Sequence, residues 1–297
     1  MICKNMGLAF LLLTCLLWLM TEGQAAPLTV WDTRAGKTLS QRDLLDRLVQ
    51  ADVVFVGEQH DSKPTHALEL GLLQDLHRRV GKRLTLGMEM WERDAQPALG
   101  AYLVGKTNEA AFLATARPWP NYRTDYRPLV EYARAEAIPV IASNVPQALA
   151  SRVGRNGLDA LKDAPAGQVA TLVQAPHDAY WERFQSVMQA MAGGHGGMTM
   201  DAATIERFYE AQVLRDETMA ESIAARLESM PRPLVLHVNG DFHSDYGQGI
   251  PKRVLWRRPL THILIISVVP AAAPPASLSP ADKMRADFVI YVPAQVQ

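Results

Sequence analysis

Two short apolar runs, far apart in the chain, end in the same way. Val53-Val54-Phe55-Val56 leads into Gly57-Glu58-Gln59-His60, and Leu234-Val235-Leu236-His237-Val238-Asn239 leads into Gly240-Asp241-Phe242-His243. An uninterrupted apolar run that closes on glycine reads as a parallel strand, buried on both faces, leaving its sheet. Open α/β sheets gather their ligands at the carboxyl ends of the strands. Two such exits therefore bring Glu58, His60, Asp241 and His243 toward one crevice.

The rest of the chain supports an α/β fold with a mainly parallel central sheet, helices on both faces and a helical insertion. Leu39 to Gln50 has helical periodicity behind Ser40 as N-cap. Pro64 opens a second helix with Leu68, Leu72, Leu73 and Leu76 on its apolar stripe. Leu84 to Met88 is a strand that runs directly into Glu89. Helical pieces follow on either side of Gly105, then a proline loop at residues 117–122 and a helix from Asp125 to Glu136. Ile138 to Ala142, 234–239 and Ile263 to Val268 are further strands. Residues 154–200, rich in Ala, Gly and Gln, read as a helical excursion with a loop around Gly193–Gly197. Asp201 to Met230 is one long helix. Residues 270–297 read as a linker and a last strand at the sheet edge.

Residues 1–25 have the form of a secretory signal: Lys4, an apolar run from Leu8 to Met20, and the small-x-small site Gly23-Gln24-Ala25. The predicted location is therefore outside the cytoplasm, periplasmic or at the outer membrane. The domain proper spans 26–269. Both cysteines, Cys3 and Cys15, fall in the leader, so the remaining chain has no disulfide, no thiolate metal ligand and no cysteine nucleophile. Cys15 after Leu12-Leu13-Thr14 is a poor match to a lipoprotein site. The formal net charge of −1 provides no basic field for nucleic acid. The local clusters Lys252-Arg253 and Arg257-Arg258 read as solvated surface or as contacts for acidic groups on a ligand.

Glu89 joins the chemistry as a third carboxylate at a strand end. Carboxylates are seldom buried unless paired, so it is either an ion-pair partner of Arg93 or Arg123, or part of a site with Glu58, His60 and His243. That set suits a divalent metal, or general acid–base work on a water. His237 lies inside a strand and reads as a hydrogen-bonded core histidine. His66 stands near a helix start and can face the crevice. A different constellation occupies the excursion: His177-Asp178-Ala179-Tyr180-Trp181, followed by Met188, Met191, His195, Met198 and Met200. It reads either as an amphipathic helix with core aromatics or as a macrocycle site, where tyrosine ligates haem iron and methionines supply a soft lining. No G-x-S-x-G elbow, P-loop or H-E-x-x-H occurs.

Several of these segments resemble the ChaN-like haem-binding uptake proteins of the Tiki superfamily. They are Val54–Asp61, Leu86-Gly87-Met88-Glu89-Met90, Tyr126-Arg127-Pro128-Leu129, Pro139–Asn144, Ala211–Ala220, Val238–His243 and Gly249-Ile250-Pro251. The resemblance implies an exported protein of haem or iron uptake, with a tyrosine on the iron and two haems held face to face in a homodimer. It also implies a membrane or transporter partner. Tyr180 is the chosen ligand here, with His177 or His195 as its hydrogen-bonding partner; Tyr122, Tyr126 and Tyr209 are the rivals. The wider superfamily also implies an alternative, a hydrolase that uses Glu58, His60, Glu89 and His243, with or without metal.

Overall fold

The computed structural model describes residues 28–194 and 200–294. The leader, with Cys3 and Cys15, lies outside the described residues, and so does His195. Eight strands, β1 (Thr29–Asp32), β2 (Lys37–Leu39), β3 (Val53–Glu58), β4 (Leu84–Glu92), β5 (Val140–Asn144), β6 (Leu234–Gly240), β7 (Ile263–Ala271) and β8 (Phe288–Pro293), form one sheet in the order β2-β1-β8-β7-β3-β6-β4-β5. From β8 to β5 every pairing is parallel, while β1 runs antiparallel to β8 and β2. Every residue of β3 and β6 is buried, as expected of strands covered on both faces.

Helices α1 (Gln41–Leu48), α2 (Lys63–Val80), α3 (Gln96–Leu103), α4 (Glu109–Ala116) and α5 (Arg127–Ala135) contribute to the larger core. There Leu72, Leu73 and Leu76 meet Val54, Val56, Leu86 and Leu236. The first helix is capped as its sequence predicts: Ser40 Oγ accepts from the Asp43 amide at 3.1 Å. Helix α6 (Gln147–Asn156) is followed by α7 (Ala179–Gly194) and α8 (Ala202–Glu228). After these come α9 (Asp241–Ser244), α10 (Ile250–Arg257) and α11 (Pro280–Arg285). Met219, Ala220 and Ile223 of α8 and Ile250 and Val254 of α10 pack with Val53, Phe55 and Val235 in a second core.

Two expectations are corrected. The C-terminal strand is not at the edge: β8 sits between β7 and β1, and Phe288 to Val292 are buried. Its apolar residues serve both faces, which only an interior strand can use; the edge is taken by the short hairpin β1–β2. The excursion is helical only at its two ends. From Lys162 to Asp178 the chain is irregular, held to α8 by bonds such as Thr171 N to Glu221 at 2.8 Å.

Candidate functional site

Register decides which side chains meet. β6 lies between β3 and β4, with Glu58 opposite Gly240 and Met88 opposite Val238. The two Gly-x-x-H exits therefore leave the sheet side by side, and Glu89 leaves on the other flank. The Gly240 amide donates to Glu89 Oε2 at 2.7 Å, so the second exit binds the third carboxylate through its backbone. Glycine at 240 is required by proximity: a Cβ there would lie 2.8 Å from His60 Nε2 and 3.7 Å from Glu89 Oε2. His60 and Glu89 thus face the same space above Gly240. Asp241 follows at the rim, and burial pushes its carboxyl up from the ordinary range.

Each imidazole is tied to a carboxylate. His60 Nδ1 is 2.7 Å from Glu58 Oε1, and its ring stands edge-on to Trp119 with 4.8 Å between centroids. It is the solvent-facing member, with 41% of its side chain exposed. His243 is enclosed, with Nε2 3.2 Å from Glu89 Oε1 and Nδ1 2.6 Å from Asp216 Oδ1. Burial opposes charge on His243, but Glu89 and Asp216 outweigh it and raise its pKa to about 10. Glu89 is held well below the usual carboxylate range: burial opposes this, and His243, His60 and the Gly240 amide prevail. Glu58 is likewise brought down to about 2, its burial outweighed by the neighbouring His60 and His66. The result is a buried array of opposite charges with one exposed imidazole.

The structure joins Glu58 to His60 and Glu89 to His243, but does not gather the four into one metal-ligand set. Both His243 nitrogens face carboxylates, Glu89 on one side and Asp216 on the other. Among the described residues, the side chains whose ligand atoms approach closely enough to share an ion are Glu58, His66 and Glu69. The expected alternative for Glu89, an ion pair with Arg93 or Arg123, does not form: its charged partner is His243. Arg93 bonds Glu221 at 3.0 Å and the Thr218 carbonyl at 2.7 Å. His237 is the satisfied core histidine its strand position predicts, between Asn239 Oδ1 (2.9 Å) and Ser143 Oγ (3.0 Å). Burial brings its pKa down to about 4, so it is neutral. The basic cluster at 252–258 meets acidic groups: Lys252 binds Asp178 at 2.7 Å, and Arg257 binds the buried Glu217.

The Tyr180 expectation changes most. Tyr180 is 1% exposed; its hydroxyl donates to Asp216 Oδ2 at 2.7 Å and accepts from Gln212 at 3.1 Å. Burial and the Asp216 carboxylate push its phenol far above the ordinary value, the opposite of what an iron-bound phenolate needs. Tyr180 thus extends the Asp216–His243–Glu89 chain. His177 does not share a helix face with it, because α7 begins only at Ala179. Its ring stacks on Trp181 at 4.5 Å, with Nε2 2.9 Å from Glu206. Of the rivals, Tyr126 is fully buried and donates to Glu58 Oε1 at 2.7 Å. Tyr209 donates to the Pro176 carbonyl.

Sequence reasoning missed Asp216, Gln212, Glu69 and the site role of Tyr126. A usable signal existed for Asp216: Asp216-Glu217 interrupts Val213-Leu214 and Met219-Ala220, so charge lies among apolar positions of one helix.

Fold and crevice together define an α/β protein with carboxylate–imidazole pairs at the strand exits of its parallel sheet. The chain belongs to the family described as haem-binding uptake, Tiki superfamily, ChaN, which it matches over residues 44–254. Among solved structures, it is similar to ChaN of Campylobacter jejuni with cofacial haem bound. That match has a TM-score of 0.68 and 16% identity, over 89% of this chain and 96% of that one. A mutant of the erythromycin esterase EreC in its open conformation shares the fold more loosely. There the TM-score is 0.51 with 12% identity, over 90% of this chain and 97% of that one. Among curated proteins, the chain is 23% identical over 245 residues to Protein RETICULATA-RELATED 5, chloroplastic, of Arabidopsis thaliana. The match takes in 76% of this chain but only 32% of that relative, so the chain spans about a third of its length.

Proposed function

We propose that this protein is an exported haem carrier that serves haem or iron uptake. The observation that supports this most is its membership of a haem-binding family across nearly all of the folded domain. The chain also offers residues that suit a haem. On α7, Trp181, Phe184 and Met188 pack toward Tyr209 and Ile205. Met191 continues that stripe and is 58% exposed. Beside it stands His177, with over half of its side chain exposed. The exposed Met191 and the half-buried Trp181 and Met188 leave an apolar edge beside an accessible imidazole, which can meet a porphyrin face and supply an axial ligand. A second protomer laid against the same edge would cover the other face. Haem, when bound, supplies the iron; the chain supplies the ligand and the water-excluding apolar wall.

His177 is the accessible ligand of this edge. Ligation by Tyr180, the tyrosine chosen from its place in the helical excursion, requires its hydroxyl to leave Asp216 and Gln212. Haemin titration read by visible absorption separates the two. His177→Ala should weaken saturable binding by at least about tenfold, and Tyr180→Phe should leave the spectrum unchanged. A phenolate-like spectrum abolished by Tyr180→Phe would return the ligand to the tyrosine. No saturable binding by the wild-type protein would end the haem reading.

One observation favours a second reading, hydrolysis. His60 is half-exposed, is oriented by Glu58 and shares the space above Gly240 with Glu89, the arrangement of a general base on water. Ester hydrolysis that disappears in His60→Ala and persists in His177→Ala would support it.

A further inference from the structure

Behind the crevice lies a cluster of which the hydrolytic reading uses Glu58 alone. Pro64 starts α2 and sets its first turns beside the end of β3. His66 and Glu69, three residues apart on one face of α2, turn inward to Glu58. His66 is 6% exposed, Glu58 1% and Glu69 not at all. His66 Nδ1 is 3.1 Å from Glu58 Oε2 and 3.3 Å from Glu69 Oε2. Ligand atoms about 2.0–2.2 Å from a shared tetrahedral ion stand about 3.3 Å apart, so the spacing is that of one coordination shell.

The hydrogen bonding is incomplete. Glu58 Oε1 is satisfied by His60 Nδ1 and the Tyr126 hydroxyl, both at 2.7 Å. Glu58 Oε2, Glu69 Oε1 and His66 Nε2 are buried without a hydrogen-bond partner. Burial opposes charge on His66, but Glu58 and Glu69 outweigh it and raise its pKa to about 10, so an ion that binds here displaces the imidazole proton. Unsatisfied buried carboxylate oxygens are costly, and here they converge. On the far side of the ring Asp125 Oδ2 stands 3.8 Å from Nε2, beyond hydrogen-bond distance, and Asn121 fixes that carboxylate with a 2.8 Å bond.

We propose that Glu58, His66 and Glu69 form a binding site for one divalent first-row transition ion, of which Zn2+ and Mn2+ are the probes. One imidazole and two carboxylates are a borderline donor set that suits these ions, and two carboxylates neutralise the charge of one ion. The site is distinct from the His60–His243 pair and does not depend on the haem reading. Glu58 links it to the crevice, because the oxygen that would hold the ion belongs to the carboxylate that orients His60.

The test begins with untagged protein stripped with EDTA and titrated with Zn2+ or Mn2+ by calorimetry. The expected result is one ion per chain. Affinity should fall at least about tenfold in Glu69→Gln and His66→Ala, and change less than about threefold in His60→Ala. Where a variant does not fold, K-edge absorption of the Zn2+-loaded wild type decides: one imidazole and oxygen ligands are expected. No stoichiometric binding, binding indifferent to Glu69→Gln, loss in His60→Ala alone, or two imidazoles on the ion would each overturn the proposal. Haemin binding measured on the same samples reports separately on the haem reading.

Discussion

Gly240→Ala probes the close approach on which the crevice depends. Gly240 has φ −55° and ψ 140°, a backbone open to any residue, so alanine acts through its methyl group alone. That carbon would stand 2.8 Å from His60 Nε2 and 3.0 Å from Cε1, well inside the ~3.5–4.0 Å of ordinary contact. The imidazole must leave, and its 41% exposure gives it a way out into solvent. Overpacking relieved in this way falls at the low end of the usual ~1–3 kcal/mol. The ring also takes with it one of the two hydrogen bonds to Glu58 Oε1. The combined cost is about 1–2 kcal/mol, or roughly 2–8 °C in melting temperature for a domain of this size. Urea unfolding of a four-member cycle with His60→Ala measures it. The alanine should cost about 1–2 kcal/mol when His60 is present and less than about 0.5 kcal/mol when it is truncated. Equal costs in both backgrounds would refute the argument, because the penalty would then not arise from His60.

Two further outcomes follow from the buried charges. His243 has its pKa raised to about 10 in the folded chain against about 6.5 unfolded. Its stabilisation is complete below about pH 6.5 and is lost as pH rises toward 10. Glu89, with its pKa depressed, stabilises fully above about 4.5, and that contribution is lost on acidification. The urea midpoint should therefore be highest between about pH 5 and 6.5, and His243→Gln should flatten the alkaline limb; an unchanged limb would mean that His243 is not the titrating group. Tyr126→Phe removes the 2.7 Å hydroxyl bond to Glu58 and should cost about 1–3 kcal/mol in chemical denaturation, while a neutral result would indicate that water replaces it.

The two strand exits were legible because a strand buried on both faces must be apolar and must stop at a residue that tolerates close approach, and both conditions appear in linear sequence. Their side-by-side register was not legible, since it depends on β6 inserting between β3 and β4. Tyr180 was misplaced for a related reason. The spacing of His177 and Tyr180 reads as helical, but the helix starts two residues after the histidine, and the phenol's partner, Asp216, lies on another helix. Asp216 and Glu217 look like solvent-facing charge on α8, because sequence does not show that α10 and the irregular segment before α7 cover that face. The hairpin β1–β2 escaped because its strands are three and four residues long, and β1 pairs with β8 from the opposite end of the chain.

The strand order also governs when the site can exist. β3 is the first parallel strand made, yet its neighbours, β6 and β7, come from the last quarter of the sequence. Until residue 240 has been made both hydrogen-bonding edges of β3 lack their partners, and one edge stays bare until residue 271. Pairings of such long separation form slowly, and bare strand edges are sites of aggregation. A stalled or truncated product ending before β6 would therefore be a recruit for chaperones and proteases, not a partly working protein.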